Sequence, residues 1–182
     1  MRQKPQIKST RIVTKSRLFT IEDVDLLFSN GNEMTFQRIV SSGEAAMVVP
    51  MTESGVLMVR EYAAGTDRYE LGFVKGRIDP GETPQEAAQR ELKEEIGFGA
   101  EELTYIREMH GLPHYSDFSM HLFFASGLYP SELVGDEAEP LEQINYRFDE
   151  LNTLLEHPEI NDPRVLTGLL LLEKWLKNER IA

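Results

Sequence analysis

The chain contains no cysteine. That excludes disulfides and thiolate chemistry, and it fits a reducing cytoplasm. No apolar run approaches the ~20 residues that a membrane helix needs. The basic start, MRQKPQIKSTR, lacks the apolar core and small-residue cleavage site of a secretory signal. A cytoplasmic location is therefore the expectation. Positive charge is also scarce: 19 Lys+Arg stand against 31 Asp+Glu, a net charge of −12. Such a surface repels nucleic acid and anionic membrane, so neither is an expected partner. No internal repeat or low-complexity segment occurs.

What is present is an ordinary globular composition. With 182 residues and 41% hydrophobic content, the chain suffices for one well-cored domain and a small annex. Residues 1–5 read as a loose tail. Ile7 to Val40 reads as strands, mixed over Ile12–Leu18 and alternating at Phe19-x-Ile21, Val24-x-Leu26-x-Phe28 and Met34-x-Phe36-x-Arg38-x-Val40. Asn30-Gly31 between the alternating runs is a strong hairpin turn. This annex, 1–42, is too small to hold a core alone, so it is expected to pack on the main domain or on a second subunit, and of these the second, a homodimer, is favoured. The remaining residues, 43–182, form the main domain. AAMVVPM (45–51) reads as a buried strand, VLMVREY (56–62) as the next, and Tyr69–Phe73 as a short one. Further strands are expected at Leu103–Met109, Met120–Ser126 and Gln143–Phe148, with His110–Ser119 and the acidic Val134–Pro140 as loops. Asp149 is expected to cap a short helix, and Asp162 with Pro163 to open a final one that carries the core residue Trp175. The order implies an α+β fold, a mixed sheet between helices.

Between these elements lies GRIDPGETPQEAAQRELKEEIGF, Gly76 to Phe98. Its first part reads as a loop. Thr83, Pro84 and Glu86 then form a capping box with proline at the first helical position, and Gly97 suits the left-handed end of the helix. Ala88, Leu92 and Ile96 make an apolar stripe. Glu91, Glu94 and Glu95 stand at i, i+3, i+4, where Cβ atoms are about 5–6 Å apart. Carboxylates that close repel one another unless cations sit among them. Arg90, in reach of Glu94 or Glu86, is the built-in cation, and a divalent metal would satisfy the rest. Hard oxygen ligands favour Mg²⁺, with Mn²⁺ as a substitute.

The spacing G-x5-E-x7-R-E-U-x-E-E-x-G-U, with U apolar, is filled at all nine specified positions, and it resembles the Nudix box. The likeness extends to FSNG, REYAAGT and the run VREYAAGTDRYELGFVKGRIDPGE, which are similar to Nudix hydrolases acting on ADP compounds. The resemblance implies the Nudix fold and Mg²⁺-dependent cleavage of the diphosphate in ADP-ribose, diadenosine polyphosphates such as Ap3A, or NADH, with AMP released by a homodimer. It implies Glu91, Glu94, Glu95 and the Lys75 carbonyl as metal ligands, and Gly76, Glu82, Arg90 and Gly97 as their supports. From the acidic loop it implies Glu139 as a further ligand and Glu137 as the base that takes the proton of the attacking water. Glu94 and Glu95 are counted with Glu137 as catalytic. Pro113 fits the proline that marks ADP-ribose hydrolases, and Tyr115 resembles a tyrosine of the diadenosine polyphosphate enzymes. For the substrate, the phosphate-matching guanidiniums Arg60, Arg68 and Arg77 are candidates, with Tyr62 and Tyr115 as adenine shelves. Two other readings keep the box: hydrolysis of modified nucleoside triphosphates, and a non-catalytic ligand sensor.

Overall fold

The computed structural model describes residues 3–17, 19–135 and 137–179. The tail residues 1–2, Leu18 of the mixed stretch, Asp136 of the acidic loop and the terminus 180–182 lie outside the described residues. The chain forms two compact units, Met1–Glu44 with His110–Ser119, and Ala45–Met109 with Met120–Ala182.

The first unit is a three-stranded antiparallel sheet, β1 (Gln6–Lys15), β2 (Thr20–Leu27) and β3 (Glu33–Val40). The expected hairpin is β2–β3, turning at Gly31 with φ 84°. Alternation gives the sheet two unlike faces. On one, Asp23 pairs with Arg11 and Gln37, and Asp25 accepts from Ser9 and Thr35. On the other, Val24 lies opposite Phe36, and Leu26 opposite Met34 and Ile7. The 110–119 loop, expected within the main domain, groups with this sheet. The Ile39 amide donates to the Tyr115 carbonyl at 2.7 Å, and the Ser41 amide to the Asp117 carboxylate at 2.7 Å.

The second unit holds two sheets. One is antiparallel, β10 (Glu142–Arg147), β5 (Gly55–Ala63) and β6 (Arg68–Gly72). The other is mixed, ordered β7 (Val74–Arg77), β4 (Ala45–Pro50), β9 (Met120–Pro130) and β8 (Phe98–Met109), with β4 and β9 parallel. β4 is buried along its whole length, because both of its faces are covered. Ala46 and Val48 join Val74 and Phe123 under helix α1 (Pro84–Glu95) with its Ala87, Ala88 and Leu92. On the other face, Met47 and Phe73 approach Gly168 of α3 (Pro163–Glu179), and Phe124 meets Trp175 edge-on. This is the sheet between helices that the order of elements implied.

Some boundaries differ. β7 occupies the start of the stretch read as a loop, because Ala46 and Ala45 pair with Gly76 and Arg77. β8 begins at Phe98, directly after the helix. Asp149 does not cap the short helix α2 (Leu151–Leu154): its carboxylate is held by Arg147, and a 3-10 turn precedes the helix. Asp162 does cap α3, accepting the Arg164 amide at 2.8 Å. Among the described residues, no helix is long and apolar enough to cross a membrane.

Candidate active site

Helix α1 starts as its sequence dictates. The Thr83 hydroxyl accepts the Glu86 amide, and the Glu86 carboxylate accepts the Thr83 amide. Glu86 is thus occupied at the cap, so Arg90 reaches elsewhere. Its guanidinium makes a two-point bridge to Glu82 at 3.0 Å, and meets Glu91 at 2.6 Å and Glu94 at 2.7 Å. It also donates to the Arg77 carbonyl at 2.7 Å. Glu82 first, then Glu91 and Glu94, hold the Arg90 guanidinium protonated well above its ordinary range. One cation thereby ties β7, the following loop and the helix together. The helix closes at Gly97, φ 73°.

Gly76 has a steric reason to be glycine. A Cβ there would sit 1.9–2.2 Å from the Glu91 carboxylate. The missing side chain is what lets buried Glu91 lie flat against β7. Beside it, Glu95 accepts the Lys75 amide at 3.3 Å through Oε1. Its Oε2 is buried and has no hydrogen-bond partner. Burial pushes the Glu95 carboxyl up to about 8. An orphaned carboxylate oxygen is expensive to bury. With Glu91 one turn away and Glu94 the preceding residue, the donors are all hard oxygens, and they fit a divalent cation.

Two adjoining cavities open on this helix. One, of about 420 Å³, is lined by Lys75, Gly76, Arg77, Asp79, Glu91 and Glu137. The other, of about 490 Å³, is lined by Glu95, Glu132, Glu139, Leu141 and Gln143. Glu94, Gly135 and Glu137 belong to both. A larger cavity of about 690 Å³, beside Trp175, holds none of the expected site residues.

The structure therefore gathers Lys75, Gly76, Arg77, Glu91, Glu94, Glu95, Glu137 and Glu139 at one cleft. Arg60 and Arg68 are not brought there. Arg60 is clamped by Glu142 at 2.6 Å and Glu159 at 2.9 Å, and Arg68 bonds Glu70 at 2.7 Å. The Tyr62 hydroxyl is committed to Asp67 at 2.5 Å. Tyr115 belongs to the first unit, where it is exposed. Asp79 and Glu132 also line the cleft. Asp79 falls on an unspecified position of the box, and Glu132 precedes the acidic loop expected from Val134.

Residues 42–167 match the NUDIX domain, and residues 5–38 the NudE-type Nudix hydrolase N-terminal domain. The chain is 47% identical to the ADP compounds hydrolase NudE of Escherichia coli (strain K12), over 97% of this chain and 96% of that one. It is 27% identical to an ADP-ribose pyrophosphatase of Bacillus subtilis (strain 168), over 90% and 92% of the two chains. A crystal structure of an ADP compounds hydrolase superposes with a TM-score of 0.93 at 46% identity, covering 98% of this chain and 97% of that one. The chain belongs to the Nudix hydrolases, enzymes that act on diphosphate bonds and typically use a divalent metal.

Proposed function

We propose that this protein hydrolyses the diphosphate linkage of ADP compounds, ADP-ribose, diadenosine polyphosphates or NADH, and releases AMP with Mg²⁺, or Mn²⁺, as cofactor. One observation carries the reading: the buried, unpartnered Glu95 oxygen beside Glu91 and Glu94 in an acidic cleft. The choice of ADP compounds rests on the similarity to hydrolases of those compounds.

The chain's own residues have distinct tasks. Glu91, Glu94 and Glu95 would hold the metal, with the Lys75 carbonyl and Glu139 as further ligands. When bound, the metal offsets charge on the diphosphate oxygens and activates the attacking water. Gly76 gives Glu91 its place. Arg90 and Glu82 keep the loop against the helix. The Glu137 carboxylate accepts the proton of the water that attacks phosphorus. The P–O bond of the anhydride breaks, AMP departs on one side, and the partner phosphate on the other. Arg77, which lines the first cavity, would meet the phosphates.

The annex, residues 1–42, would pair two copies through its apolar face, where Ile7, Met34 and Phe36 are exposed. Light scattering that returns a monomer mass would remove that pairing. The cysteine-free, acidic composition suits the cytoplasm.

The test of function is AMP release from ADP-ribose, NADH and Ap3A, with Mg²⁺ and with EDTA. Metal-dependent AMP from at least one compound is expected. No AMP from any of the three with Mg²⁺ present would end the proposal.

A further inference from the structure

The acidic loop, residues 131–141, joins β9 to β10 and carries Glu137, and among the described residues it contains no helix or strand. Its first part is tied to the end of α1. The Ser131 amide donates to the Gly97 carbonyl at 2.9 Å, and the Leu133 amide to the Lys93 carbonyl at 3.0 Å. Two residues on, the backbone passes so close to α1 that a Cβ on Gly135 would lie 3.0 Å from the Glu94 carbonyl oxygen. Beyond that point the hold comes from a different element. The Tyr69 hydroxyl donates to Glu139 Oε1 at 2.8 Å.

Tyr69 is well placed to grip. It stands on β6 directly opposite Tyr62 on β5, and their rings meet edge to face with centroids 5.6 Å apart. Tyr62 is in turn fixed by its bond to Asp67. Tyr69 is 47% exposed, so it is not there to fill the core. What it offers the loop is a donor on a rigid hairpin.

We propose that Tyr69 is a positioning residue: its bond to Glu139 holds Glu137, two residues earlier on the loop, in register with the box carboxylates. Pinning Glu139 reduces the backbone freedom of its neighbour Glu137 before substrate arrives. Displacement of a reacting group by about 1 Å lowers rates by about a hundredfold, so a loosened loop shows in turnover before it shows in binding.

Tyr69→Phe keeps the ring and deletes only the donor. In the full-length protein, deuterium uptake of residues 131–141 should rise while that of 84–95 stays unchanged. With ADP-ribose and Mg²⁺, kcat should fall about tenfold and KM change less than about threefold. In a Glu137→Gln background the same substitution should lower kcat by less than about twofold, because the group it positions is gone. Unchanged uptake in the loop overturns the proposal, as does an undiminished Tyr69→Phe effect in the Glu137→Gln background. A rise in kcat also overturns it, and makes the hydroxyl a brake. The kinetic arms rest on the diphosphatase reading of the cleft; the exchange arm does not. A wild type that releases no AMP therefore defeats that reading alone, and the exchange result still decides the role of Tyr69.

Discussion

The box helix and the acidic loop bring carboxylates to the same cleft by opposite means. In α1 the partners are close in sequence. Thr83 and Glu86 close the cap, and Arg90 reaches Glu82, Glu91 and Glu94. In the loop, Glu139 is held by a residue 70 positions away. Local interactions form with little loss of chain entropy and leave a spelling in the sequence. Long-range ones leave none. The helix should thus be intolerant of single changes in the side chains it aims, and the loop more tolerant.

The largest effect is expected at the helix. If Glu95 holds the metal as proposed, Glu95→Gln should lower turnover by at least about a thousandfold. The same residue makes the metal-free protein sensitive to pH. Glu95 has an ordinary value near 4.5 and about 8 in the fold, because burial disfavours its charge. A raised folded pKa gives stability that is fully present below the unfolded value and is lost as pH rises through the folded one. In EDTA, the melting temperature of the wild type should therefore fall between about pH 4.5 and 8 relative to Glu95→Gln, which does not titrate there. Added Mg²⁺ should restore it. Parallel melting curves across that range would break the link between burial and metal binding.

A pair of glycines sharpens the comparison. Gly76→Ala drives a methyl into the Glu91 carboxylate, 1.9–2.2 Å away. Glu91 must swing out, and kcat/KM should fall roughly tenfold to a hundredfold, with more Mg²⁺ needed for half-activation. Gly135→Ala meets the Glu94 carbonyl at 3.0 Å, so the loop needs to give by only a few tenths of an ångström. Its loss should stay within a few-fold. If the two substitutions cost the same, the loop is as rigid as the helix and the contrast fails.

The same contrast explains what was legible. The cap, the helix bounds and the buried run of β4 follow from rules that act within a few residues. β7 did not, because four residues containing Gly76, Lys75 and Arg77 carry no alternation, and pairing with β4 alone makes them a strand. The substrate side was hardest. The expectation that Arg60 and Arg68 meet phosphate rests on arginine's chemistry alone. Which carboxylates a guanidinium meets is decided by strands and loops far along the chain.

Arg60 is the smallest and most discriminating case. It projects from β5 between Glu142, the first residue of β10, and Glu159, which follows α2. Those carboxylates raise its pKa, Glu142 first, so its charge is already spoken for. Arg60→Met keeps the stem's apolar reach and removes the charge. It should leave kcat and KM for ADP-ribose within about threefold. It should also lower the melting temperature slightly, more in low salt than in high, as an exposed ion pair does. A KM increase of tenfold or more would return Arg60 to the substrate. In that event the two bridges to Glu142 and Glu159 must open when the nucleotide binds, and the β5–β10 edge, not the acidic loop alone, would be the adjustable part of the cleft.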